Sequence, residues 1–124
     1  MENKLLQFYD QKYISLETYK KDGTAVRTPV WFVIDSDLIY IITRENTGKV
    51  KRLKNNKDTR IVSCSFKGEP KNEWIKGITE KITGEKAEKI IKLRKKKYGF
   101  SARLIGLFSS QKGKPVTYSI KLID

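Results

Sequence analysis

Over residues 13–20 apolar and polar positions alternate, with Ile14, Leu16 and Thr18 on one face and Ser15 and Glu17 on the other, which predicts a strand. Lys21-Asp22-Gly23-Thr24 follows and supplies the Asp-Gly pair of a tight hairpin, since Gly takes the positive φ such a turn needs. A second strand is predicted over Ala25–Ile34. After the polar break Asp35-Ser36-Asp37, a third is predicted over Leu38–Thr43, so the first half reads as an antiparallel meander. Thr47 stands where it can cap a helix from Gly48 to about Lys54, with Val50 and Leu53 on its inner face and Asn55-Asn56 as the stop. Further strands are predicted at Arg60–Phe66, Trp74–Thr83 and Pro115–Ile123, and a helix at Glu85–Tyr98. Met1–Tyr9 reads as a short helix burying Leu5, Leu6 and Phe8, and Ser101–Ser110 has no clear periodicity.

Six strands at hairpin spacing with helices between them predict a mainly β fold, a small closed or partly closed antiparallel barrel. At 124 residues the chain reads as one domain, 1–124. With 38% hydrophobic residues its core is lean, so a strand-rich fold of this size gains by pairing with a second copy, and a homodimer is expected. Neither a signal peptide nor a membrane span can be read, which points to the cytoplasm.

Composition narrows the chemistry. There is no histidine and one cysteine, Cys64, so a Ser-His-Asp hydrolase, a zinc finger and a disulfide framework are excluded. Cys64 lies in the alternating run Ile61–Phe66 and reads as packing. The net charge of +13 is uneven: residues 1–46 hold six Lys or Arg against seven Asp or Glu, whereas residues 47–124 hold twenty-one against seven. The densest part is Lys92-Leu93-Arg94-Lys95-Lys96-Lys97, a polybasic helix face. It suits a polyanion, whether nucleic acid, an anionic membrane surface or a phosphorylated, acidic cofactor, and it equally suits a solvated face.

Two stretches depart from ordinary strand and helix. In Arg27-Thr28-Pro29-Val30-Trp31-Phe32 a Pro deletes a ladder donor inside a strong strand, which belongs at an edge or bulge. Such an edge can hold a flat, polar-edged ring, or can simply be guarded against aggregation. In Thr43-Arg44-Glu45-Asn46-Thr47-Gly48-Lys49-Val50-Lys51-Arg52 a strand ends and a helix opens with a hydroxyl, a Gly and a Lys. Free N–H groups, the positive helix dipole and an ammonium then converge as a phosphate site would need, although the P-loop spacing is missing and a capped surface helix would look alike.

At these two places the chain resembles the flavin-binding split-barrel proteins related to pyridoxamine phosphate oxidase, and most closely the subgroup assigned to the deazaflavin coenzyme F-420. The matching stretches are Lys12–Thr18, Asp22-Gly23-Thr24, Arg27–Val33, Thr47–Asn56 and Lys96-Lys97-Tyr98-Gly99, in order along nearly the whole chain. The resemblance implies a six-stranded antiparallel split β-barrel of the FMN-binding type, dimeric, with cofactors at the subunit interface. It implies that Arg27, Thr28, Pro29, Val30 and Trp31 run along the ring. Thr43, Thr47, Gly48 and Lys49 would hold the phosphate, with Arg52 a further candidate. Trp74 and the region after Tyr98 would complete the partner's site.

The activity implied is a coenzyme F-420- or FMN-dependent oxidoreductase passing a hydride to or from a small unsaturated substrate, with Tyr98 a candidate proton donor. Ring chemistry belongs to the cofactor, which agrees with a chain lacking histidine. The acidic tail of F-420 suits the basic helix better than FMN does. The alternatives are a protein that binds or carries the cofactor without turnover and a nucleic-acid-binding module; the latter is disfavoured because Trp31, Phe32 and Tyr40 lie in apolar runs instead of among Lys and Arg. The C-terminal Arg and Trp pattern by which true pyridoxamine phosphate oxidases hold their substrate is not visible in Lys112–Asp124, so vitamin-B6 chemistry is not implied.

Overall fold

Alternation along the strands decides which face each residue lends to the core. A computed structural model describes residues 4–99 and 113–123, so Ser101–Ser110 lies outside the described residues. The strands are β1 Tyr13–Tyr19, β2 Ala25–Val30, β3 Val33–Asp35, β4 Leu38–Arg44, β5 Asp58–Cys64, β6 Ile75–Ile82 and β7 Pro115–Leu122; the helices are α1 Gly48–Asn55 and α2 Gly84–Tyr98. All strands join one antiparallel sheet in the order β2-β1-β5-β6-β7-β4-β3.

The six-strand expectation is corrected to seven, and the sheet is not closed by hydrogen bonds. The predicted strand Ala25–Ile34 is split: its first part pairs with β1, Val30 opposite Ile14, and its second with β4, Val33 opposite Tyr40. Trp31 and Phe32 lie between these parts, so the two edges of the sheet are joined by a two-residue link and the sheet must curl. The backbone can leave the ladder there because α2 satisfies it. The Phe32 N–H donates to the Tyr98 hydroxyl at 2.9 Å, and Lys97 Nζ donates to the Phe32 carbonyl at 2.8 Å.

Inside the curl Ile14, Leu16, Ile39, Ile41, Ile61 and Ile120 form the core, closed at one end by Phe8 and on the α1 side by Val50 and Leu53. Burying Val50 and Leu53 contributes about 1.5–3 kcal/mol each, which holds a helix too short to persist alone. Helix α2 covers the opposite face of β3 and β4, packing Ile90 and Leu93 on Val33, Tyr40 and Ile42. The β1–β2 turn is as predicted, with Gly23 at φ 89°.

Two further expectations are corrected. Of the expected helix Met1–Tyr9, residues 1–3 lie outside the described residues and the rest holds only a 3-10 turn, Leu6–Phe8, with Leu5 and Phe8 buried and Leu6 in water. In α2, Arg94 is turned inward, and the Lys97 ammonium lies 3.5 Å from the centre of the Phe32 ring. The solvated basic face is therefore narrower than the run of charges suggests, carried by Lys92, Lys95 and Lys96. Cys64 is buried as expected, and burial raises its pKa.

Candidate functional site

The end of β4 and the start of α1 bring Thr43, Thr47, Gly48, Lys49 and Arg52 together. The Thr43 and Thr47 hydroxyls are 3.2 Å apart. Thr47 occupies the N-cap position with extended backbone, but its hydroxyl donates to the Arg44 carbonyl at 2.8 Å and makes no capping bond. The first N–H groups of α1 are thus not capped by that side chain, and they carry the positive end of the helix dipole. Arg52, one turn on, donates from Nε to the Thr18 hydroxyl at 2.6 Å, and its guanidinium curls back over the helix start. A Cβ at Gly48 would sit 2.7 Å from Arg52 Nη1, so glycine leaves that guanidinium its place.

Lys49 is half-buried beside Arg52. Burial first, and then the Arg52 charge, lowers the Lys49 pKa below its ordinary value. Among the described residues neither cation forms a salt bridge. Two cations, unsaturated N–H groups and three hydroxyls facing one corner make a receptor for a phosphate-like anion. Thr18 was missed by sequence reasoning, although its position on the same face as Ile14 and Leu16 was the signal that it points to the α1 side.

The ring-strand candidates do not all join this corner. β2 is an edge strand, as Pro29 required, with Thr28 opposite Leu16 and Pro29 opposite Ser15. Val30 packs on the core. Trp31 stacks on Tyr98, ring centroids 4.1 Å apart and 8° from parallel. Arg27 lies on the face of the sheet opposite Thr18, where its Nε donates to Glu17 Oε2 at 2.7 Å.

Tyr98 fastens the strand bend through its hydroxyl. Its hydroxyl accepts from Phe32 N–H and is also 2.8 Å from the Lys12 carbonyl and 3.0 Å from that of Phe32, one of which takes its proton. Burial pushes its pKa up to about 12. Lys97 beside it is brought down to about 8 by burial of its ammonium, which donates to the Phe32 carbonyl. Arg94, one turn earlier, has a buried Nε with no partner among the described residues; burial and then the Arg44 charge lower its pKa.

No helix among the described residues is long and apolar enough to cross a membrane. No protein-family model and no curated protein sequence matches the chain. Solved structures do. A candidate pyridoxamine 5'-phosphate oxidase of Listeria innocua superposes with TM-score 0.69 at 13% identity, covering 97% of this chain and 90% of that one. An F420 reductase gives 0.70 at 15% identity, covering 100% and 96%. HutZ, a heme storage protein of Vibrio cholerae, gives 0.72 at 15% identity, covering 93% and 84%. At such identities the likeness is one of architecture: the chain has the split-barrel fold of the pyridoxamine phosphate oxidase-like proteins.

Proposed function

We propose that this protein is an oxidoreductase that binds coenzyme F-420, or FMN in its place, with the phosphate in the α1 corner and the ring along β2. The observation that carries this reading is the corner itself, where Lys49 and Arg52 are held by burial and by hydroxyls and no carboxylate among the described residues neutralises either. Thr43, Thr47 and Gly48 line the same corner, and Arg27, Thr28, Pro29, Val30 and Trp31 offer the strand edge. When bound, the ring supplies hydride chemistry toward a small unsaturated substrate, and the protein binds, orients and shields it. The exposed Lys92, Lys95 and Lys96 favour the acidic tail of F-420 over FMN.

A homodimer with the cofactor between subunits fits the edge strand β2 and the large apolar side chains of Leu6 and Phe66 left in water. A second reading, binding without turnover, is supported by the Tyr98 hydroxyl being committed to main chain, which leaves the strand bend without a free acid at that position. Heme storage is the less fitting version, because the chain has no histidine to offer the iron.

The test is titration of the protein with FMN and with F-420, followed by absorption. Lys49→Ala should weaken the cofactor that binds by about ten- to a hundredfold, since a charge-assisted phosphate contact is worth about 1.5–3 kcal/mol. Lys51→Ala serves as control. Equal losses in both variants, or none, would remove the phosphate from this corner.

A further inference from the structure

Glu17, Arg27 and Arg60 stand side by side across β2, β1 and β5, because Arg27 and Arg60 are each the register partner of Glu17. Glu17 is 1% exposed. Its carboxylate accepts from Arg27 Nε at 2.7 Å, from Arg60 Nε at 2.7 Å and Nη2 at 3.0 Å, and from the Tyr19 hydroxyl at 2.6 Å. One carboxylate thus fixes two guanidiniums and leaves a net charge of +1. Among the described residues Arg27 is bonded through Nε alone and Arg60 through Nε and Nη2, which leaves Nη1 and Nη2 of Arg27 and Nη1 of Arg60 without a hydrogen-bond partner there. Trp74 backs both, with the guanidinium carbons 4.6 Å and 5.6 Å from its ring centre. Both arginines reach solvent, at 53% and 37% exposure.

Arg60 and Tyr19 also border a cleft of about 500 Å³ whose wall includes Asp58, Thr59, Lys76 and Gly77, so two cations outnumber one carboxylate there. That volume suits a small organic molecule, and Lys76 adds a second positive group. A guanidinium whose rotation is already stopped by a buried carboxylate loses little freedom on meeting an anion, and its planar edge matches a carboxylate with two parallel hydrogen bonds.

We infer that the outer edges of Arg27 and Arg60, held on Glu17 and backed by Trp74, receive the carboxylate of a small molecule whose remaining part enters the adjoining cleft. Resting on the cofactor reading above, which runs the ring along β2, this makes the substrate class a small carboxylic acid. Glu17 is then a positioning residue, acting only through the arginines.

The test needs no cofactor. In Trp31→Phe protein Trp74 is the single tryptophan, and its fluorescence reports on the site directly. Titration with benzoate should give a saturable change that benzamide does not reproduce. Arg60→Gln should weaken benzoate about tenfold or more, and Arg27→Lys should fail to match the parent because a point charge cannot bind in bidentate fashion. Calorimetry on the unsubstituted chain should give the same affinity. The absence of saturable benzoate binding, or equal binding of benzamide, overturns the inference. FMN, F-420 and benzoate titrations of the unsubstituted chain keep the two readings apart: cofactor binding without benzoate binding sinks only the carboxylate site, and the reverse sinks only the cofactor reading.

Discussion

Two cation clusters lie back to back on β1, separated by a single residue step. On one face Arg27 and Arg60 are matched by the buried carboxylate of Glu17; on the other, Arg52 is held by the neutral hydroxyl of Thr18 and Lys49 by burial. The difference lies in what holds the charge. A carboxylate fixes a guanidinium firmly but cancels part of its field, so that cluster stabilises the sheet and keeps only its outer edges for a ligand. A hydroxyl orients a guanidinium without cancelling its charge, so the α1 corner keeps its full field for an external anion. Arg94 forms a third case, a buried Nε with neither acid nor hydroxyl among the described residues.

The largest effect should come from the acid side. Glu17→Gln strands two guanidiniums beside a buried amide and should lower the unfolding free energy by about 3 kcal/mol in urea, at the low end for a broken buried pair because both arginines reach water. The exposed Lys57–Glu80 pair is the control, where Glu80→Gln should change less than about 1 kcal/mol. Although desolvation alone would raise it, hydrogen bonds from Arg60, Tyr19 and Arg27 hold the Glu17 pKa down to about 2 from 4.5. The unfolded chain therefore binds the proton first. The contribution is complete above 4.5 and is lost as pH falls toward 2, a slope that Glu17→Gln should abolish. An unchanged acid slope in that variant would show that Glu17 does not govern this face.

On the hydroxyl side the sign of the comparison reverses, with little stability at stake and much binding. Arg52→Met gives up one hydrogen bond to Thr18, about 1 kcal/mol of stability, and should weaken cofactor binding by about tenfold or more. A variant that lost stability but bound as the parent does would make Arg52 a packing residue. The smallest effect is a gain. Arg94→Met removes a buried donor without a partner among the described residues and the repulsion from Arg44, and should raise the urea midpoint by the equivalent of about 1 kcal/mol; a loss instead would mean that Arg94 has a stabilising partner.

Much of this was legible in the residues. Pro29 placed β2 at an edge, Asp22-Gly23 fixed the first hairpin, and the step from Thr47 through Gly48 to Lys49 located the start of α1. The Glu17–Arg27 pair was within reach as well, since both residues lie equally far from Asp22 in the turn, which makes them register partners. What sequence could not show depends on distant chain. The run Val30–Ile34 reads as unbroken strand because the groups that let it bend, Lys97 and Tyr98, are more than sixty residues away. Helical spacing made Arg94 one more member of a solvated run, and only the packing of α2 on β3 and β4 turns it inward. Arg52 likewise reaches Thr18 across 34 positions, a separation that no local pattern encodes.

The two-residue link at Trp31-Phe32 also bears on how the chain folds. β2 finds β1, and β3 finds β4, through short hairpins whose closure entropy is small and whose formation is fast. The bend between them is secured only when Tyr98 arrives from 66 positions along the chain, after α2 has formed and docked. Topology thus predicts an early local phase, in which the two hairpins form independently, and a late one in which Lys97 and Tyr98 fix the joint as α2 docks.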